Sequence, residues 1–164
     1  MSSSGNHVAL TPVPGEGDLG LVDALAQLSF AIHGTIGRIA AAHGLSIVQA
    51  RLLGILRDRQ PTITELAAFL AVDKSSVTGL VDRAAKRGLV RRAPSTVDGR
   101  RVQVTITGVG HDLAAKVAAA VQAEVAVLTA ELSAPLRGRL SAAASQIVAA
   151  DARRRGVDIF ATGR

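Results

Sequence analysis

The spacing of hydrophobic positions predicts long helices at both ends of the chain. After Leu19, apolar side chains recur every three or four residues, which indicates one long amphipathic helix ending near Gly44. The same spacing returns after Gly110 and predicts two more helices, the second capped by Ser133 with Pro135 in its first turn. Alanine is frequent in these last two helices, and small residues allow helices to approach closely.

Three shorter helices are predicted between the long ones, because residues typical of helix N-termini precede each of them. In the third short helix the apolar residues share one face, which predicts that this face is buried. Gly88 then follows as a stop signal. The predicted capping residues are Ser46 with Gln49, Thr62 with Glu65, and Asp73, and the predicted buried face is Val77, Leu80, Val81 and Ala84.

Two short extended runs come next, Leu89–Ala93 and Val102–Ile106, and the Asp-Gly pair at Asp98 between them is typical of a β-hairpin turn. Alternation in the second run predicts which side chains face the core. We expect Val102, Val104 and Ile106 to point inward, and Gln103 and Thr105 to point outward.

Helix, tight turn, helix and hairpin in this order predict a mainly α protein with a small β-hairpin, a winged helix-turn-helix with long N- and C-terminal dimerisation helices. Helices this long and apolar would otherwise expose more hydrophobic surface than monomers usually tolerate, which favours a homodimer over an intrachain bundle. The predicted segments are a disordered tail at 1–18, the first dimerisation helix at 19–44, the DNA-binding domain at 45–110, the C-terminal dimerisation helices at 111–157 and a tail at 158–164.

The net charge of +6 arises in one stretch of the chain. Between Arg83 and Arg101 there are seven basic residues and one acidic residue, so the rest of the chain sums to zero. Such a concentration of charge indicates contact with nucleic acid or an anionic membrane surface, although a merely solvated surface can have the same composition.

The outer face of the third short helix carries the residue types that a major-groove reader needs. Short hydroxyls and a lysine in its first turn can reach base edges or phosphates, and basic side chains in its last turn can neutralise backbone charge. The candidate DNA-binding residues are Lys74, Ser75, Ser76, Thr78, Arg83, Lys86 and Arg87 in this helix, and Asp98, Arg100 and Arg101 in the hairpin.

The run from Asp98 to Gly110, DGRRVQVTITGVG, is similar to the wing signature D-x-R-x-x-x-V-x-L-T-x-x-G of the MarR family of bacterial transcription regulators, with Ile106 in the leucine place. Residues 73–90 also resemble that family's recognition helix and the start of its wing, with Gly79 as a departure. A glycine inside a helix costs up to about 1 kcal/mol relative to alanine.

The resemblance implies a homodimer on an approximately palindromic operator, with each recognition helix in a major groove and each wing over a minor groove. The protein is expected to function as a transcriptional repressor, with double-stranded DNA as its partner. Arg100 matches the signature arginine and suits the negative potential of a narrow minor groove. Asp98 would orient that arginine or simply close the turn, and Arg101 would face phosphate.

The resemblance also implies a small aromatic or anionic effector that releases the protein from DNA. Phe30, His33 and Arg51 are the candidate effector-binding residues, because together they offer an apolar wall and polar groups. The alternative places Phe30 in the core and His33 on the flank of its helix.

Enzymatic and metal-binding functions find little support in the sequence. The chain has no cysteine, no glycine-rich phosphate loop and no paired histidines at helical spacing, so we expect no catalytic residues, no metal site and no cofactor. Neither a secretory signal nor a sufficiently apolar membrane span is visible, which predicts a cytoplasmic protein without a membrane partner.

Two other functions are compatible with the same pattern. A helical binding protein would use the basic hairpin on an acidic protein or a membrane, and it would show no sequence preference for DNA. An architectural DNA binder without effector control would bind any duplex almost equally, with a steep dependence on salt.

Overall fold

Six helices and one β-hairpin lie in residues 17–94 and 101–157, which are the residues described by a computed structural model of the chain. The two strands are antiparallel, with Val90 opposite Ile106 and Pro94 opposite Val102. This order confirms the predicted fold class. The elements are α1 (Gly20–Ala42), α2 (Ile47–Leu56), α3 (Ile63–Leu70), α4 (Lys74–Lys86), β1 (Val90–Pro94), β2 (Val102–Ile106), α5 (Gly108–Leu128) and α6 (Ala134–Arg154).

The N-terminal unit of the chain ends at Gly34 and contains the first part of α1. The Asp18 carboxylate accepts a hydrogen bond from Gly20 N–H at 2.8 Å. Large apolar side chains are exposed on this part of the helix, and Phe30 exposes 68% of its surface. The interpretation that Phe30 is a core residue is therefore wrong for the single chain.

The second unit begins at Thr35 and has a hydrophobic core centred on the helix-turn-helix. The face of α4 that was predicted to be buried is buried at all four positions. Four more helices and both strands contribute the other sides of this core, so the packing of α4 is set from several directions. The largest fully buried side chains are Leu52, Leu53, Leu56, Leu66, Val77, Val81 and Val104.

The alternation predicted for β2 is only partly correct. Val104 is buried as expected, but Val102 exposes 52% of its surface because it pairs with Pro94 at the far end of the described hairpin. Thr105 was expected to point outward, yet it exposes only 8%. Its hydroxyl donates to Arg91 O at 3.4 Å, and a buried hydroxyl is tolerated when it has such a partner.

The predicted caps of α2, α3 and α4 are all present, two of them as complete capping boxes. Ser133 occupies the N-cap position of α6, but its side chain makes no capping hydrogen bond. The N-cap position and the proline in the first turn are therefore as predicted, but the side-chain cap is missing, although the corresponding bonds of α2, α3 and α4 are made to the third residue of the helix.

Among the described helices, no single one is long and apolar enough to cross a membrane. Only α1 and α2 taken together, as a bent pair, reach the required length and composition.

Candidate nucleic-acid interface

The outer face of α4 carries exposed basic side chains at both ends of the helix. Lys74 lies in the first turn, and Arg83 and Lys86 lie in the last turn. The opposite face is packed into the core, so the helix cannot turn these side chains inward without losing its buried contacts. All three cations are therefore held toward solvent.

The hydroxyl groups on this face are engaged within the helix itself. Asp73 caps α4 and accepts hydrogen bonds from Ser76 N–H at 2.8 Å and from the Ser75 and Ser76 hydroxyls. The Thr78 hydroxyl donates to Lys74 O at 2.9 Å. These hydroxyl oxygens keep their acceptor capacity, whereas their protons are already used, which favours the lysine and arginine side chains as donors to DNA.

The serine hydroxyls and Ser76 N–H hold the pKa of the Asp73 carboxyl well below its usual range. The carboxylate therefore contributes stability above its unfolded-state pKa of about 3.9, and this contribution is lost as the pH falls through the lower folded-state pKa. We expect Asp73→Asn, which keeps a capping oxygen but cannot titrate, to lose less stability than the wild type below about pH 4.

The measurement is thermal unfolding followed by far-UV circular dichroism across the acidic range. Asp112→Asn is the control, because Asp112 is exposed on α5 and has no serine partners of this kind. Parallel pH profiles for the wild type and Asp73→Asn would contradict the prediction.

Gly79 lies in the middle of α4, where its missing side chain leaves room for Arg83. A Cβ at this position would lie 3.3 Å from Arg83 Nη1, which is the far end of a flexible side chain. The Arg83 guanidinium is thus folded back along the helix in this conformation. It can be displaced without moving the backbone.

Arg87 was predicted to bind DNA, and it has a partner inside the chain. Its Nη1 donates to Gly44 O at 2.9 Å, which links the C-terminal end of α4 to the turn between α1 and α2. This guanidinium therefore helps to fix the angle of α4 in the second unit. Holding α4 in place explains the position of the Arg87 side chain without any contact to a DNA phosphate.

The β-hairpin is attached to the helix-turn-helix along both of its described edges. Arg92 on β1 pairs with Asp82 on α4 at 2.8 Å. On the other edge, Val104 N–H donates to Pro61 O at 2.8 Å, next to a bridge between Thr62 and Gln103. The hairpin is consequently held in one orientation relative to the outer face of α4.

Arg92 was missed as a site residue by the sequence reasoning, although it lies within the basic stretch. Spacing along the chain does not predict the pairing of Arg92 with Asp82 on α4. Only the count of basic residues in this stretch indicated that Arg92 belongs to the site. Arg101 is exposed just before β2. Asp98 and Arg100, the other predicted hairpin residues, lie outside the described residues.

The three predicted effector-binding residues lie in two different units of the chain. Phe30 and His33 belong to the N-terminal unit, and both are exposed. In the second unit, Arg51 donates to Leu70 O at 3.1 Å and to Phe69 O at 2.9 Å. Burial, followed by the nearby Arg155 charge, lowers the pKa of Arg51 from its ordinary value.

A metal centre has no counterpart in the part of the chain that the structure describes, where no three metal-binding side chains lie together. The absence of a metal site from the rest of the chain, outside the described residues, stays a prediction.

A comparison with known protein families finds a match for the part of the chain that includes α4. Residues 43–101 match the sequence model of the MarR family. This range includes α2, α3, α4 and β1. No curated protein matches the chain in sequence.

Solved structures with the same fold cover most of the chain. MarR itself aligns with a TM-score of 0.71 and 21% identity over 87% of this chain and 97% of that one. CouR from Rhodococcus jostii RHA1, bound to p-coumaroyl-CoA, aligns with a TM-score of 0.67 and 21% identity over 76% of this chain and 88% of that one.

A third similar structure is the MarR family protein RV2887 of Mycobacterium tuberculosis in complex with p-aminosalicylic acid. It aligns with a TM-score of 0.63 and 21% identity over 77% of this chain and 97% of that one. Residues 43–101 thus resemble the MarR family in sequence, and the described elements have the winged-helix fold seen in the solved structure of MarR.

Proposed function

We propose that this protein is a transcriptional repressor that binds a palindromic operator as a homodimer and leaves it when a small molecule binds. The observation that carries the proposal is the outer face of α4, where Lys74, Arg83 and Lys86 are exposed beside a hairpin fixed by the Arg92–Asp82 ion pair. A helix with one buried face and one basic face, next to a basic hairpin, has the form of a major-groove reader.

Homodimer formation is supported by the two faces of α6. Ala149 and Ala152 are buried on one side of the helix. Leu136, Leu140 and Ile147 are exposed, and at 100° per residue they lie within about 40° of one another on the opposite side. An apolar stripe that points away from its own chain favours a second copy as its partner.

The first part of α1 and the end of α5 support the same association. Each exposes large apolar side chains in the single chain, and both elements were predicted to belong to the dimerisation region. The exposed residues are Leu21, Val22, Leu25, Leu28 and Phe30 on α1, and Val127 and Leu128 on α5.

Release by an effector is supported by what similar structures contain. CouR holds p-coumaroyl-CoA and RV2887 holds p-aminosalicylic acid, and both ligands combine an aromatic ring with an anionic group. We therefore propose an aromatic, anionic effector for this protein. The sequence assignment of Phe30, His33 and Arg51 to its binding site remains a proposal.

The test is a fluorescence-anisotropy titration with labelled DNA, because the protein has no tryptophan or tyrosine to follow. The duplex is one that the protein itself enriches from a random library, and a scrambled duplex serves as the control. We expect saturation at two chains per enriched duplex and an affinity at least about 10³-fold above that for the scrambled one. Equal, salt-sensitive binding to both duplexes would contradict the proposal and favour an architectural DNA binder.

Charge variants test the proposed contact surface directly. Arg83→Gln and Lys86→Gln are each expected to lower the slope of log affinity against log salt by about one, which corresponds to one phosphate contact. Arg153→Gln removes the same charge from an exposed position at the end of α6 and is expected to leave the slope unchanged. Identical slopes for all three variants would place the DNA contact elsewhere.

A further inference from the structure

The end of α6 has a geometry that fixes the direction of the following residues. Val157 N–H donates to Ala152 O at 2.9 Å. Gly156, with a φ of 67°, donates its N–H to Arg153 O at 3.0 Å. Together these bonds form a Schellman motif, and its apolar members Ala152 and Val157 are both buried. Arg155, which precedes Gly156, is therefore held in one position relative to α6.

The side chain of Arg155 reaches from α6 to the C-terminal end of α3. Its Nη1 donates to Ala68 O at 3.2 Å. Arg51 of α2 donates to the next two carbonyl oxygens, those of Phe69 and Leu70. Three consecutive carbonyl groups at the end of α3 thus accept hydrogen bonds from guanidinium groups, which are favourable at the negative end of a helix dipole.

The end of α3 determines where α4 begins. Ala71 ends α3 in the left-handed conformation with a φ of 56°. Asp73 is already the N-cap of α4, so only Val72 lies between the two helix ends. A turn this short transmits a displacement of the end of α3 to the first turn of α4.

Packing between α3 and the turn after α6 is incomplete, and the Arg155 side chain bridges the two elements. A cavity of about 210 Å³ lies beside the contact, and Asp151 pairs with the other side of the guanidinium. The Nε of Arg155 is buried and makes no hydrogen bond to any described residue, which reduces the net gain in stability from this contact. The cavity is lined by Glu65, Ala68, Phe69, Gly156 and Val157.

We infer that Arg155 is a positioning residue that couples α6 to the recognition helix and thereby sets the half-site spacing that the dimer accepts. The inference rests on the proposed function, in which α6 carries the dimerisation stripe and α4 enters the major groove. A dimer of this kind places its recognition helices about one DNA turn apart, roughly 34–36 Å, or at a multiple of it. Arg155 is bonded to α6 through Asp151 and to the end of α3 through Ala68 O, and only Val72 separates the C-cap of α3 from the N-cap of α4.

The test compares binding to the enriched duplex with binding to duplexes whose half-sites are one or two base pairs closer or farther apart. Arg155→Met keeps much of the side-chain length and removes all donors, and Arg153→Met is the charge-matched control. We expect each change in spacing to weaken the wild type and Arg153→Met by about 10-fold or more, the usual cost of an imperfect site. The Arg155→Met variant should bind the duplexes of all spacings with affinities within about 3-fold of one another, because α6 and α4 are then less firmly coupled.

Arg51→Met is the second comparison, since it removes the other guanidinium from the end of α3 without touching α6. It should lower the melting temperature and keep the wild-type dependence on spacing. If Arg51→Met loses spacing dependence as Arg155→Met does, or if Arg155→Met keeps it, the inference is overturned. A wild type that prefers no duplex over the scrambled one contradicts the proposed function itself, which distinguishes the two failures.

Discussion

Replacement of Gly110 by alanine is expected to destabilise the protein by about 3 kcal/mol or more, at or above the upper end of what overpacking usually costs. A Cβ on Gly110 would lie 2.0 Å from Leu89 O and 2.9 Å from Ile106 Cγ1. The first of these is a backbone atom, so a rotamer change cannot relieve the clash. The start of α5 would have to separate from the base of the hairpin.

That separation would break several hydrogen bonds at once. The Thr107 hydroxyl donates to Gly88 O at 2.7 Å and accepts from Gly110 N–H at 3.1 Å. Thr107 N–H donates to Leu89 O at 3.0 Å. Thr107 therefore joins the end of α4, the hairpin and α5, and we expect the loss of stability to be accompanied by loss of DNA binding.

Far-UV circular dichroism during thermal unfolding measures the effect, at equal protein concentrations because association changes the apparent stability. The matched control is Gly108→Ala in the same helical turn, where a Cβ would meet no atom within 4 Å. That variant should be stabilised by up to about 1 kcal/mol, the helix-propensity difference between the two residues. Equal stability of the two variants would show that the close approach at Gly110 does not exist in solution.

Introduction of charges into the stripe on α6 is expected to convert the protein to a monomer and to abolish operator binding. Leu140 and Ile147 expose 39% and 54% of their surfaces in the single chain, so Leu140→Glu with Ile147→Glu should leave each chain folded. In the proposed dimer both glutamates would be buried without partners, which is strongly unfavourable. A single recognition helix should then bind with an affinity lower by a factor of about 10³ or more, close to non-specific binding.

Analytical ultracentrifugation measures the association, and anisotropy with the enriched duplex measures the binding. Gln146→Glu is the control, because it adds a negative charge to an exposed position of α6 that lies about 100° or more from Leu140 and Ile147. It should remain dimeric and bind the duplex. A double variant that still sediments as a dimer would rule out this face of α6 as the dimer interface.

Local signals in the sequence were sufficient for most of the helices and for the face of α4 that meets the core. Ser46, Thr62 and Asp73 cap helices through partners three residues away, as their spacing predicted. Such bonds depend on backbone geometry over one helical turn, which is why composition and spacing reveal them. The basic outer face of α4 followed from the same periodicity.

Other features of the site depend on contacts between distant parts of the chain, and the sequence did not predict them. Arg87 bonds to a carbonyl oxygen 43 residues away, and Arg155 to one 87 residues away. Both appeared in the sequence as basic residues near a helix end, where phosphate, solvent and a distant carbonyl are equally suitable partners. Tertiary packing selected the carbonyl, because it brings Arg87 to the turn after α1 and Arg155 to the end of α3, where carbonyl groups lack partners within the helix.

The sequence by itself determined the order of the elements, the amphipathic character of α4 and the concentration of positive charge around it. Tertiary structure alone decided that Thr105 is buried, that Arg92 is paired with Asp82, and that the start of α5 touches the base of the hairpin. The physical reason is that periodicity and capping act within a few residues, whereas burial and ion pairing depend on which surfaces the whole chain brings together.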